Sequence, residues 1–172
     1  LLRAVADLDD DVILRLVGSG PQRNDLRHLA TQLGITERME LVHWIKSTEM
    51  PRQLREMDVL VLPSLTQTNW KEQFGRVLLE GMASGVPVVG SSSGEIPNTI
   101  GDAGIIFPEG DIDALASALR KLTRDPDLCR EYAERGRARI MAHYTQAQVA
   151  AATVRVYRNI MLDNQASSGH VL

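Results

Sequence analysis

Apolar and polar positions recur along this chain with two different periods, and the switches between them mark out its elements. Val12 to Val17 is an apolar, partly β-branched run that ends in the turn Gly18-Ser19-Gly20-Pro21, which predicts a strand. Leu26, Leu29, Ala30 and Leu33 then recur at helical spacing, with Gly34 placed to close the helix. Glu40 to His43 predicts a short strand, and Met50, Leu54 and Met57 a helix in which Pro51 is tolerable only in the first turn. Val59 to Leu62 and Val86 to Val89 read as strands on either side of a helix that Phe74 and Gly75 open, and a short strand follows at Ile105. This alternation predicts an α/β fold with parallel strands.

Helical periodicity takes over in the last third. Ile112, Leu115, Leu119 and Leu122 form one face behind a capping Asp111, and Asp125-Pro126 is a cap followed by proline at the first helical position. Thr145 and Gln148 make a capping-box pattern ahead of Val149, Ala152, Val156 and Ile160. The expected domain spans 1–162, and residues 163–172, which lack periodicity, are expected to form a disordered tail. The opening LLRAVADL reads as the end of a helix already under way, so a longer chain is expected.

The length of 172 residues suits one domain with a core of its own. A net charge of −3 gives no polybasic footprint, which argues against nucleic acid as the main partner. The single cysteine, Cys129, cannot form an internal disulfide and reads as a small packing residue. No apolar run approaches a membrane span, and Asp7, Asp9, Asp10 and Asp11 break the apolar start, so the expected location is cytoplasmic or peripheral at the inner membrane face. Those aspartates precede their strand and so sit at the amino edge of the sheet, away from any ligand crevice; no metal is expected.

Chemistry concentrates between Pro63 and Gly90, PSLTQTNWKEQFGRVLLEGMASGVPVVG. A strand that feeds a helix N-terminus makes an anion site, because unpaired N–H groups and the helix dipole converge there. The carboxylates Glu72 and Glu80 would repel phosphate, but they suit hydroxyl pairs. On one continuous helix, eight residues give about 800° of rotation, so the two would not share a face. If Glu72 lies in the loop before the helix, both can border one ligand. Phosphate and vicinal hydroxyls together suggest a nucleotide carrying a sugar.

The passage resembles the retaining, nucleotide-sugar-dependent glycosyltransferases of the two-domain GT-B type, family 4 (group 1). The matching elements are Pro63-Ser64, Glu72-Gln73-Phe74-Gly75 through Glu80, and Ala83-Ser84-Gly85-Val86-Pro87-Val88-Val89, with Gly18 to Pro21 and Gly104 to Phe107 on either side. The resemblance implies the C-terminal, donor-binding half of a GT-B fold: a Rossmann-like parallel sheet flanked by helices, with a helical C-terminal end that in the family crosses back to the other domain. A first strand, the Arg and Lys that grip the diphosphate, and the acceptor domain would all lie upstream of Leu1. The implied reaction moves a sugar from a nucleoside-diphosphate sugar to an acceptor glycan, lipid or small molecule, as in polysaccharide or glycoconjugate biosynthesis. No cofactor beyond the nucleotide-sugar substrate is implied.

The family's roles carry over position by position. Glu72 is assigned to the transferring hexose as the catalytic candidate, and Phe74, Gly75, Arg76 and Val77 to the diphosphate. Glu80 falls to the ribose, and Trp44, Ile45 and Lys46 to the base. Gly94 and Glu95 stand where the family has its hexose loop, although Gly94-Glu95-Ile96-Pro97-Asn98 departs from the usual pattern. Arg76 replaces an apolar residue; it either adds charge to the diphosphate or covers the surface. Trp44 is either a base contact or a core residue. Three other readings stand beside the transferase: half of a non-hydrolysing nucleotide-sugar epimerase, a non-catalytic nucleotide-binding module, and an oxidoreductase domain weakened by the missing third glycine after Gly18 and Gly20.

Overall fold

The computed structural model describes residues 1–168, with side-chain surroundings to Leu162. The chain divides into two compact units, Leu1–Arg137 and Ala138–Leu172. The first begins with α1 (Leu2–Ala6), β1 (Leu14–Val17), α2 (Arg23–Gln32), a 3-10 turn (Thr36–Arg38), β2 (Met39–Val42) and α3 (Met50–Arg55). It continues with β3 (Leu60–Leu62), α4 (Arg76–Ala83), β4 (Val88–Ser91), α5 (Ile96–Ile100), β5 (Ile105–Phe107) and α6 (Ile112–Arg124). Helix α7 (Pro126–His143) runs into the second unit, whose other element is α8 (Gln146–Ser168).

All strand pairs are parallel, as the alternating pattern predicts, but the hydrogen bonding makes two sheets: β1-β2, and β3-β4-β5. Among the described residues, β1 and β3 each keep one edge without a strand partner. A cleft of about 840 Å³ lies between them, lined by Leu14 and Leu16 on one side and Val59 and Val61 on the other. Arg15 of β1 donates to Glu40 at 2.8 Å and to Glu56, just before β3, at 3.3 Å.

Burial explains why the helices lie where they do. Leu2, Val5, Leu14, Val89, Phe107, Leu115, Leu119 and Leu122 share one core, into which α6 turns the face that its spacing predicts. Ile112, counted in that face, is instead exposed at its solvent end. Leu78 and Met82 of α4, with Ile96 and Ile100 of α5, are fully buried around β4. Helix α5 was not expected: Pro97 occupies its first turn, and its five residues are too few to show a period. Cys129 packs as expected; its Sγ lies 3.1 Å from the Leu122 carbonyl, and burial pushes its thiol pKa up, with Asp58 and Asp125 adding to the effect.

The predicted caps form. Asp111 accepts from the Ala114 amide at 2.8 Å, Asp125 from Leu128 at 3.0 Å and Thr145 from Gln148 at 3.2 Å. In the second unit, Val149, Val156, Tyr157 and Ile160 of α8 are exposed. Its backbone stays helical past Leu162 to Ser168, further than the loss of periodicity suggested; the end of the expected tail, residues 169–172, lies outside the described residues. No helix among the described residues is long and apolar enough to cross a membrane.

Removing the α6 cap leaves an orphaned amide. Asp111→Ala should lower the unfolding free energy by about 1 kcal/mol, while Asp111→Asn stays within a few tenths. Urea denaturation checks this, with the midpoint moving and the slope unchanged.

Candidate functional site

Because β3, β4 and β5 are parallel, the loops that leave them emerge at one edge: residues 63–75 after β3, 92–95 after β4 and 108–111 after β5. Buried hydroxyls tie them together. Ser91 Oγ donates to the Ser64 carbonyl at 2.6 Å, and Thr99 Oγ1 to the Phe74 carbonyl at 2.6 Å. Ser93 and Thr66 share a hydroxyl–hydroxyl bond of 3.0 Å. Ser91, Ser93 and Thr99 are all buried, where an unpaired hydroxyl would be costly.

Glu72 sits at the centre of this edge. It lies in the loop ahead of α4, which removes the objection that eight helical residues would turn it away from Glu80. Its Oε1 accepts from the Gly75 amide at 3.1 Å and its Oε2 from Ser64 Oγ at 3.1 Å. Its carbonyl accepts from the Glu95 amide at 3.1 Å. Gly94, at φ +55°, packs so closely that a Cβ would overlap the Glu72 carbonyl. Glu72, Gly94 and Glu95, drawn from separate motifs, are therefore brought together. A carboxylate has about four acceptor positions, so these two bonds leave capacity for a ligand's hydroxyls.

The helix start differs in one respect from the expectation. Gly75 is the N-cap of α4, at φ +70°, and a Cβ there would lie 2.9 Å from Leu78 Cδ1. Glycine is thus favoured by the left-handed backbone, and a Cβ would also crowd the Leu78 side chain. The Gly75 amide, expected to face a phosphate, is taken by Glu72. The next amides, of Arg76 and Val77, open the helix and have no acceptor within it.

Glu80 is half-exposed, and its Oε1 accepts from Arg76 Nε at 3.1 Å. Arg76 thus holds the carboxylate assigned to ribose. The side chain of Phe74 is 44% exposed at the same edge.

Trp44, Ile45 and Lys46 follow β2, in the other sheet, apart from the loops that carry Glu72, Gly94 and Glu95. Trp44 is 71% exposed, which removes the core alternative for it. Of the aspartates before β1, Asp9 pairs with Arg124 at 3.0 Å and Asp10 with Arg38 at 3.2 Å. Among the described residues, no three His, Cys, Asp or Glu side chains gather to hold a metal.

Sequence reasoning places the loops 66–71 and 91–97 at this edge but misses the hydroxyl bonds of Thr66, Ser91 and Ser93, and misses Thr99 and Glu109 altogether. Glu109 Oε2 accepts from the Thr66 amide at 2.7 Å, and its own amide donates to Ser92 Oγ at 3.0 Å. The Thr66 amide holds the Glu109 carboxyl below the ordinary carboxylate range, against an opposing desolvation effect, with the Thr66 and Ser93 hydroxyls adding to the lowering. One signal could have found it: a polar residue just past the end of a parallel strand.

The pattern of the glycosyl transferases group 1 matches residues 1–139. The chain belongs to this family. It is 31% identical over 157 residues to the N-acetyl-alpha-D-glucosaminyl L-malate synthase of Bacillus anthracis, covering 90% of this chain and 39% of that one. It is 32% identical over 163 residues to the MMP alpha-(1->4)-mannosyltransferase of Mycolicibacterium hassiacum, covering 91% and 38%. The chain thus spans well under half the length of these curated relatives. Among solved structures, Anabaena Alr3699/HepE in complex with UDP superposes with a TM-score of 0.82 at 20% identity, over 92% of this chain and 44% of that one. The C-terminal domain of a group 1 glycosyltransferase, LpcC from Francisella tularensis, gives a TM-score of 0.71 at 24% identity, over 84% and 77%. These likenesses show the fold, that of a C-terminal GT-B domain.

Gly94 offers a direct check on the Glu72 junction. Gly94→Ala should cost about 1–2 kcal/mol from the left-handed backbone alone, and more from overlap with the Glu72 carbonyl. A chemical denaturation curve matching that of the unmodified protein would show that the contact is not made.

Proposed function

We propose that this chain is the donor-binding half of a retaining glycosyltransferase, which moves a sugar from a nucleoside-diphosphate sugar to an acceptor hydroxyl. The observation that carries the reading is Glu72, fixed in the loop at the mouth of α4 with oxygen capacity to spare, beside the open amides of Arg76 and Val77. The amides and the helix dipole suit the charge that develops on a departing diphosphate. Glu72 suits the transferring sugar and Glu80 the ribose. HepE, whose fold this chain shares, has been solved with UDP and with UDP-glucose, which supports a nucleotide sugar as ligand. The epimerase alternative is not favoured, since the relatives named above carry transferase or synthase names.

Arg76 requires a refinement. A ribose at Glu80 must share that carboxylate with Arg76 or displace it. An exposed pair of this kind contributes about 0–1 kcal/mol, so the exchange is cheap, and a released Arg76 would stand beside the diphosphate.

The rest of the enzyme belongs to the same proposal. An upstream acceptor domain accounts for the share of the relatives that this chain leaves unmatched. A first strand, preceding α1, fits the cleft between the open edges of β1 and β3.

Two experiments test the reading. Residues 1–172 alone should not transfer sugar from UDP-, GDP- or ADP-sugars, because the acceptor and the upstream cations are not positioned; measurable transfer by this stretch would overturn the two-domain proposal. In the full-length enzyme, Glu80→Ala should weaken the bare nucleoside diphosphate by about 1.5–3 kcal/mol, towards the lower end because Arg76 already occupies the carboxylate. Glu72→Ala should spare the bare diphosphate and chiefly lower kcat. Calorimetry with the diphosphate alone, beside steady-state kinetics, separates the two; equal losses of diphosphate affinity would sink the division of roles.

A further inference from the structure

We propose that Glu109 is a positioning residue for this reaction, which latches the loop after β3 through the backbone amide of Thr66 and so keeps Ser64 and Glu72 in place. The inference rests on the reading of the Glu72 edge as the sugar-donor site.

Three observations converge on it. The loop that Glu109 grips begins at Ser64, the residue that holds Glu72 Oε2, and ends at Glu72 itself. Between them, Thr66 to Lys71 is an exposed stretch whose internal ties are a bridge between Gln67 and Trp70. Thr66 is its fastening point: its amide goes to Glu109 and its hydroxyl to Ser93. Ser93 in turn precedes Gly94 and Glu95, which pack on the Glu72 backbone. Glu109 is itself fastened, because its amide donates to Ser92 Oγ. The carboxylate thus closes a ring through the loops that leave β3, β4 and β5.

The bond is exposed, and exposed polar bonds contribute little to global stability. Its effect is local. It selects one arrangement of a loop that could adopt several, and a catalytic group displaced by even an ångström loses much of its effect. The group needed is an acceptor for one N–H, so a carboxamide oxygen can replace the carboxylate.

The test uses the full-length enzyme with Glu109→Ala and Glu109→Gln. Hydrogen exchange in the segment 64–72 reads the latch without reference to activity, and steady-state kinetics with affinity for bare UDP, GDP or ADP reads its consequence. In Glu109→Ala, exchange at the Thr66 amide should rise about tenfold and kcat fall about fivefold to tenfold, with diphosphate affinity within about twofold of the unmodified enzyme. Glu109→Gln should restore both readouts to within about twofold. Unchanged exchange in Glu109→Ala would overturn the latch. Equal impairment of kcat in both variants would overturn the positioning role in favour of direct contact between the charge and a ligand. If the unmodified enzyme transfers no sugar from any nucleotide sugar, the donor-site reading fails, while the exchange result still decides the latch.

Discussion

The peptide unit and carboxylate of Glu72 are the joint on which the carboxyl edge of this domain depends. The side chain accepts from Ser64 at the end of β3 and from Gly75 at the mouth of α4, and the carbonyl accepts from Glu95 at the start of α5. One residue thus ties the end of a strand to the start of one helix and to the approach of the next. Gly94 follows from that choice, since a Cβ there would overlap the Glu72 carbonyl, while Gly75 suits the left-handed backbone at the mouth of α4.

A carboxylate in this place has two loyalties. It replaces part of the solvation of the helix start, and it retains lone pairs for an incoming ligand. Glu80 shows the same economy differently, with Arg76 as its partner. Arg76 offsets the charge of Glu80, whereas Glu72 keeps its full charge and has it solvated by one amide and one hydroxyl of the chain.

Most of the fold was legible because its strands are short apolar runs and its long helices are amphipathic. The caps at Asp111, Asp125 and Thr145 could be read from residue type alone, since the capping side chain bonds within its own turn. The motif from Pro63 to Gly90 located Glu72, Gly75 and Glu80 together. What could not be read were interactions between loops distant in sequence. Glu109 meets Thr66 across 43 positions and Ser91 meets Ser64 across 27, and neither pair leaves a period or a local pattern. Helix α5 escaped because it is so short, and the Arg76–Glu80 pair because either residue suits a ligand as well as it suits the other.

The division of the strands into two sheets has a consequence for handling the molecule. Along the cleft, β1 and β3 each present a row of backbone donors and acceptors, flanked by Leu14, Leu16, Val59 and Val61. An apolar, unpaired parallel edge is a template for any extended peptide, including the same segment of a neighbouring copy. Protein comprising residues 1–172 with that edge uncovered carries a built-in drive to self-associate at high concentration, and a segment that covers the edge acts as a solubility element as much as a structural one.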